Sequence, residues 1–163
     1  MEEKWLKKKI TLQQNIYNLI LGNKEENIMA NYNAVSRTNY FRVTDEEKYT
    51  NLFNNLVSEW DIEDFTEVKD GITYHGFGSY CPIDYLDENE EYDFDLFLTE
   101  LQKILPEDEA FMYFEVGYEK LRYLVGYTYV VTKKEIRSMN IDDWAKDTAK
   151  EILGEGFSTR TDY

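Results

Sequence analysis

The chain is poor in the residues that carry most enzyme and metal chemistry. Its 163 residues include one cysteine, Cys81, and one histidine, His75. A single thiol excludes an intramolecular disulfide framework and fits a reducing, cytoplasmic compartment. One His and one Cys cannot fill a tetrahedral zinc shell without carboxylates. No run of about 18 apolar residues is present, so no segment is predicted to cross a membrane as a helix. Positive charge is scarce as well. Lys and Arg total 18 against 33 Asp and Glu, a formal net charge of −15. An anionic surface repels phosphate, which argues against ordinary nucleic-acid binding and against adhesion to anionic membranes.

What remains is enough to fold. Hydrophobic residues make up 42% of the chain and aromatics 16%, so one domain with a sizeable core is expected rather than a disordered acidic chain. Residues 1–28 stand apart. Lys4, Lys7, Lys8, Lys9 and Lys24 against Glu2, Glu3, Glu25 and Glu26 give +1, leaving 13 basic and 29 acidic residues from Met29 onward, net −16. Trp5, Leu6, Ile10, Ile16, Tyr17 and Ile20 fall loosely at helical spacing, but Gln13, Gln14, Asn15 and Asn18 interrupt them and no cleavage site follows, which argues against secretion. Two readings stay open. Lys24-Glu25-Glu26 can be encoded by a purine run that recruits ribosomes, making Met29 the true start and 1–28 an upstream extension. Alternatively, 1–28 is an amphipathic helix of the domain.

Along the domain, 29–163, Asn39 to Val43 reads as a short strand. Thr44 and Glu47 have the spacing of a capping box, and Tyr49, Leu52, Phe53, Leu56, Val57 and Trp60 form one helical stripe. Glu63 to Val68 and Ile72 to Tyr80 flank Lys69-Asp70-Gly71, a hairpin signal. Residues 81–92, with Pro82 and many acids, read as a loop. A second helix starts near Asp93 and buries Phe94, Phe97, Leu98, Leu101, Ile104 and Leu105 before Pro106. Ala110 to Tyr118 and Leu121 to Thr132 form a second hairpin. Met112, Phe114 and Val116 alternate with Phe111 and Tyr113, which predicts two covered faces. Asn140 caps a last helix carrying Ile141, Trp144, Ala145, Ala149, Ile152 and Leu153, stopped by Gly154. The tail from Glu155 to Tyr163 is polar. The order β-α-β-β-α-β-β-α, dominated by hairpins, predicts an α+β fold with a mainly antiparallel sheet of about five strands and helices packed on it.

Chemistry has few places to reside. His75-Gly76-Phe77-Gly78-Ser79-Tyr80-Cys81 pairs a base with a thiol, yet a straight strand would hold His75 and Cys81 ~20 Å apart. The two glycines are as well explained by a twist or bulge under a helix. Gly76-Phe77-Gly78 lacks the third glycine and following helix of a dinucleotide loop. Asp84, Asp87, Glu88, Glu90, Glu91, Asp93 and Asp95 crowd one loop, but no glycine occurs between Gly78 and Gly117, so a calcium-binding EF-hand is absent. No cofactor and no metal is therefore expected. Arg42 and Arg122 are expected to pair with acids across the sheet, worth ~0–1 kcal/mol each if exposed. Lys120 sits beside Arg122 at the second hairpin's turn. Tyr113, Tyr118, Tyr123, Tyr127 and Tyr129 form either a contact surface or a sheet face under helices.

Imitation of DNA gives the acids a more specific reading. Adjacent phosphates on a strand lie ~6–7 Å apart. Alternate strand residues are ~6.6 Å apart, and helix residues four apart are ~6 Å apart. Asp61, Glu63 and the 84–95 run can therefore hold carboxylates at phosphate-like separations. Further acids stand in blocks at Asp45-Glu46-Glu47, between Glu59 and Asp70, and at Glu107-Asp108-Glu109. Such a surface is steered onto basic clefts of nucleic-acid-binding proteins.

The segments NYFRVTDEEKY, HGFGSY, LQKILPEDEAFMYFEVGYEKLRY and FSTRTDY, within about residues 32–163, give the chain a family likeness. It resembles small acidic proteins of unknown function from Gram-positive bacteria, their phages and conjugative elements. The resemblance brings no catalytic motif and implies a mobile-element setting, where small acidic proteins often block restriction or CRISPR nucleases. The expected function is a non-enzymatic inhibitor of a host nucleic-acid-binding defence complex, of anti-CRISPR or anti-restriction type. The expected contact residues are Asp61, Glu63, Asp64, Asp84, Asp87, Glu88, Glu90, Glu91 and Asp93. Two alternatives stand beside it: an interaction module, possibly dimeric, using a Tyr-rich sheet face, and a small enzyme centred on His75.

Overall fold

The structure, a computed structural model, describes residues 32–119 and 123–159. The leader with its Met29 alternative, the turn residues Lys120 and Arg122, and the last four residues of the tail lie outside them. The fold is α+β. Among the described residues ten strands occur in the order β1 (Asn33–Thr38), β2 (Leu56–Val57), β3 (Glu63–Asp64), β4 (Glu67–Lys69), β5 (Ile72–Tyr74), β6 (Phe77–Ser79), β7 (Asp84–Tyr85), β8 (Ala110–Glu119), β9 (Tyr123–Thr132) and β10 (Ile136–Asn140). Helix α1 (Glu46–Asn54) follows β1, α2 (Phe94–Gln102) follows β7, and α3 (Ile141–Leu153) follows β10. Six strands form the main sheet, ordered β10-β9-β8-β1-β6-β3, with every pair antiparallel. Two small pairs, β2-β7 and β4-β5, stand beside it.

Strand β1 replaces the strand expected at Asn39–Val43. Its inward positions are Ala34, Ser36 and Thr38, all buried, so it lacks the apolar alternation that reveals a half-buried strand. The buried hydroxyls are satisfied, which removes the cost of placing them there. Ser36 Oγ donates to the Cys81 carbonyl at 2.5 Å. Thr38 Oγ1 donates to the Phe77 carbonyl and accepts from the Phe77 N–H. The expected strand contributes a single bridge, Phe41 to His75. Beside it, Asn39 clamps β8, its amide donating to the Ala110 carbonyl and accepting from the Met112 N–H.

Helix α1 starts one residue later than the capping box implies. Asp45 is the N-cap, its carboxylate accepting from the Lys48 N–H at 2.9 Å. Thr44 instead donates both its N–H and its hydroxyl to the Ile104 carbonyl. The helix also ends earlier. At Asn54-Asn55 the chain turns, the Asn55 N–H folding back to Leu52 and Phe53. Leu56 and Val57 then pair with Tyr85 and Asp84. Leu56 is still buried, but Trp60 is 65% exposed and lies off the stripe predicted for it.

The hairpin around Asp70-Gly71 forms as expected. Both turn residues have positive φ, 53° and 78°, the signature of the two-residue turn that matches strand twist. Its register runs from Lys69↔Ile72 through Glu67↔Tyr74 to Asp64↔Phe77 and Glu63↔Gly78. The hairpin is thus one ladder, interrupted where His75 pairs with Phe41 instead. Helix α2 follows its pattern in part, with Asp93 as N-cap, Phe97, Leu98 and Leu101 buried and Phe94 partly so, but it ends at Gln102, and Ile104 and Leu105 are buried in the turn beyond it.

The core lies on one face of the sheet. Phe77, Phe111, Tyr113 and Val131 of the sheet meet Phe97 and Leu101 of α2, Tyr49 and Leu52 of α1, and Phe41. Phe111 packs edge-on to Phe41 at 5.0 Å. Each fully buried side chain of this size stabilises by about 1.5–3 kcal/mol. The other face corrects the expectation of two covered faces. Val35 and Phe114 are exposed and Val116 is 66% exposed, because both core helices pack on the Phe111 side. Helix α3 has no buried residue, so its apolar stripe at Ile141, Trp144, Ile152 and Leu153 faces outward. No described helix is long and apolar enough to cross a membrane.

Candidate functional site

The negative charge is concentrated in one part of the chain. Residues 45–100 carry seventeen Asp and Glu against Lys48 and Lys69, as large an excess as the net −15 of the whole chain. They surround the β3 edge of the sheet, the β2-β7 pair and the starts of α1 and α2.

Within this rim the nine predicted contact residues divide by what their carboxylates hold. Four aspartates hold backbone. Asp64 accepts from the Thr66 N–H at 2.8 Å and from its hydroxyl. Asp84, half-buried, accepts from the Tyr85 N–H. Asp93 accepts from the Leu96 N–H as the cap of α2. Asp87 closes the loop, its carboxylate accepting from the N–H groups of Glu91 and Asn89, each at 2.8 Å, and from the Asn89 side-chain amide. Donation from the Glu91 N–H, followed by the Asn89 donors, lowers the Asp87 carboxyl below its usual range. The backbone completes this turn, with Glu90 at φ 64° and a Leu86–Tyr92 bridge beyond it.

The other five, Asp61, Glu63, Glu88, Glu90 and Glu91, are exposed and make no side-chain hydrogen bond or ion pair to another described residue. The β2-β7 pair links their two groups. Asp61 and Glu63 follow β2, while Glu88, Glu90 and Glu91 follow β7. The hydroxyl of Ser58 adds a tie, donating to the Pro82 carbonyl at 2.8 Å. The loop read as a mere acid run is therefore a hydrogen-bonded turn that displays glutamates.

His75 and Cys81 share no bonding partner among these contacts. The buried His75 ring lies 4.1 Å from the Tyr49 ring, with Nε2 2.9 Å from Glu46 Oε2 and Nδ1 3.4 Å from Thr66 Oγ1. Cys81 is buried beside Ser36 and Ser79. Burial, reinforced by Glu59, pushes its thiol above the usual value, the reverse of what a nucleophile requires. Gly78 has a packing reason: an added Cβ would lie 2.7 Å from the Ser36 carbonyl oxygen. Arg42 pairs with Glu109 at 2.7 Å and Asp108 at 3.2 Å, as its sequence context implied. No group of three or more His, Cys, Asp or Glu among the described residues is placed to hold a metal ion.

The tyrosines divide as well. Tyr113 is buried and Tyr129 packs partly against the core, while Tyr118 is exposed. Glu115 gathers two hydroxyls, from Tyr32 at 3.0 Å and Tyr113 at 3.1 Å. At the opposite edge of the sheet from the acidic rim lies a groove of about 580 Å³ that the sequence did not reveal. Tyr127, Tyr129, Trp144, Asp143 and Asp147 line it, with Ser138 and Asn140 at its floor among others. Ile141, the first residue of α3, packs closely on Gly126 of β9, where an added Cβ would fall 2.9 Å from Ile141 Cδ1. Asn140 then caps α3 through the Asp142 N–H at 2.8 Å.

The chain matches no family model, no curated protein and no solved structure.

Proposed function

We propose that this protein is a non-enzymatic inhibitor that docks its acidic rim into the nucleic-acid-binding cleft of a host defence complex, competing with DNA or RNA. The observation that carries this reading is the set of five exposed carboxylates, Asp61, Glu63, Glu88, Glu90 and Glu91, displayed without an ion pair to any described residue, on backbone fixed by four aspartates. Acids kept only for solubility need no such fixed presentation. Held charges of one sign attract a basic cleft at long range and lose little flexibility on docking. The resemblance to proteins of phages and conjugative elements supports an anti-restriction or anti-CRISPR role in the cytoplasm of a bacterial host.

The test is competition. Purified restriction and CRISPR effector complexes of Gram-positive hosts are assayed for duplex cleavage with increasing protein at 50 and 300 mM salt. At least one is expected to be inhibited, less strongly at high salt and less strongly as duplex concentration rises. The Glu63→Lys/Glu88→Lys/Glu90→Lys/Glu91→Lys variant should lose inhibition by at least about tenfold and keep its circular dichroism spectrum. Inhibition that survives this variant, or that excess duplex does not relieve, would remove the mimicry reading.

A further inference from the structure

We infer that the groove between β9, β10 and α3 is a binding site for an arginine side chain presented by a protein partner. The site is separate from the acidic rim, since β10 and β3 are opposite edges of the sheet, and the inference stands without the function proposed above.

Its lining has the composition that guanidinium recognition demands. Three aromatic rings, Tyr127, Tyr129 and Trp144, stand with two carboxylates, Asp143 and Asp147, and among the described residues no basic side chain lines the groove. Aromatic faces attract cations through their quadrupole, and arginine adds flat stacking to that attraction. Asp143 and Asp147 are four residues apart on α3, hence neighbours on one helical face. Two such carboxylates suit a planar fork with five donors better than a compact ammonium. Asp143 has no basic partner within 4 Å among the described residues. Asp147 has only Lys150, at 3.9 Å.

Charge around the groove favours the same occupant. Tyr129 is held above its usual pKa by burial first, then by the negative charges of the Asp95 and Glu115 carboxylates. Glu115 is the cross-strand neighbour of Tyr127. The positive end of α3 acts the other way, and Asp143 in its first turn offsets it, while Asp142 is paired with Lys146. The exposure of the aromatics fits a site awaiting a partner: Trp144 is 60% exposed, on a helix that contributes nothing to the core. A volume of about 580 Å³ exceeds one side chain and accommodates the flanking backbone of an extended segment.

The experiment is a titration of the ¹⁵N-labelled full chain with acetyl-Gly-Ser-Arg-Ser-Gly-amide at 150 mM salt, followed by NMR. Saturable shifts are expected at the Trp144 indole N–H and at the amides of Ser138, Asn140 and Asp143. The citrulline peptide, of the same shape without charge, should bind at least about tenfold more weakly, and the lysine peptide about threefold more weakly. Trp144→Ala and Asp143→Asn/Asp147→Asn should each cost at least about fivefold. All these positions are exposed, so the variants are expected to fold. Three results overturn the inference. One is no shift at about 20 mM peptide. Another is equal binding of the citrulline peptide. The third is shifts that map to Asp61, Glu63, Glu88, Glu90 and Glu91 and persist in Trp144→Ala.

Discussion

His75 shows how a residue suited to catalysis can serve packing. Its ring is sandwiched among Tyr49, Phe41 and the Thr66 hydroxyl, and its one strong polar contact reaches Glu46 in the first turn of α1. That contact joins the hairpin to a helix 29 residues earlier in the chain. Removing the ring leaves a cavity that Tyr49 and Phe41 fill only partly. His75→Ala is expected to lower unfolding free energy by about 2–4 kcal/mol, the range for large buried side chains. Glu46→Gln keeps the packing and should cost under about 1 kcal/mol, because the carboxylate is half in solvent. Urea titration of both variants checks this. Equal losses would mean that the ion pair, rather than the packing, holds His75. The same economy governs the acids. Short aspartates close turns and cap helices while the longer glutamates beside them reach outward, a division set by side-chain geometry.

The elements were legible wherever one signal decided them. Asp70-Gly71 fixes a two-residue turn and therefore a register, and the ladder from Lys69 to Glu63 follows from it. Helix α2 announces itself because its apolar period, its cap at Asp93 and its stop before Pro106 agree. Strand β1 was hidden because its inward residues are small or hydroxylated and gain their place through partners 39 to 83 residues away. The end of α1 was hidden because the apolar stripe continues past Asn54 into a strand, and both structures bury Leu56. The groove was hidden because the stripe on α3 looks like any core-facing stripe. Only tertiary packing places α3 at the sheet edge. A glycine tests this account of packing. Gly78→Ala places a methyl 2.7 Å from the Ser36 carbonyl, an immovable backbone atom in the next strand. It should destabilise by about 1–3 kcal/mol. Gly76→Ala meets the edge of the Tyr40 ring at 3.3 Å and the Asn39 carbonyl oxygen at an ordinary 3.4 Å and should cost clearly less. Thermal melts that rank the two the other way would remove the close-approach explanation.

For the protein as a whole, charge sets the limits of stability. Seventeen acids against two lysines in residues 45–100 leave that half of the fold under mutual repulsion. Buried tyrosines add a limit in alkali. Burial, with the nearby charges of Asp64 and Glu46, holds the Tyr49 hydroxyl protonated well above its ordinary range. Tyr113 is held in the same direction, mainly by burial. In the unfolded chain these groups ionise near pH ~10. Their contribution is therefore complete below that pH and is lost as pH rises beyond it, since the folded state keeps protons that the unfolded state releases. The urea midpoint should hold between pH 7 and 9 and fall steeply from about pH 10. Tyr49→Phe, which keeps the ring and removes the ionising group, should flatten that fall. An unchanged slope in this variant would assign alkaline unfolding to general repulsion instead.

Strand β1 sits between β8 and β6, although it comes before both in the chain. Its partners run from Gly78 to Tyr118, and Asn33 meets a residue 85 positions later. Loops of that length close slowly, because the entropy of bringing distant residues together is lost before their contacts are gained. On a ribosome, β1 waits with its β8 edge incompletely paired until residue 118 has emerged, while the local hairpin at Asp70-Gly71 has long since been able to form. Synthesis order and assembly order are therefore opposed: the first of the described strands is among the last to be secured on both sides, and the sheet closes around it.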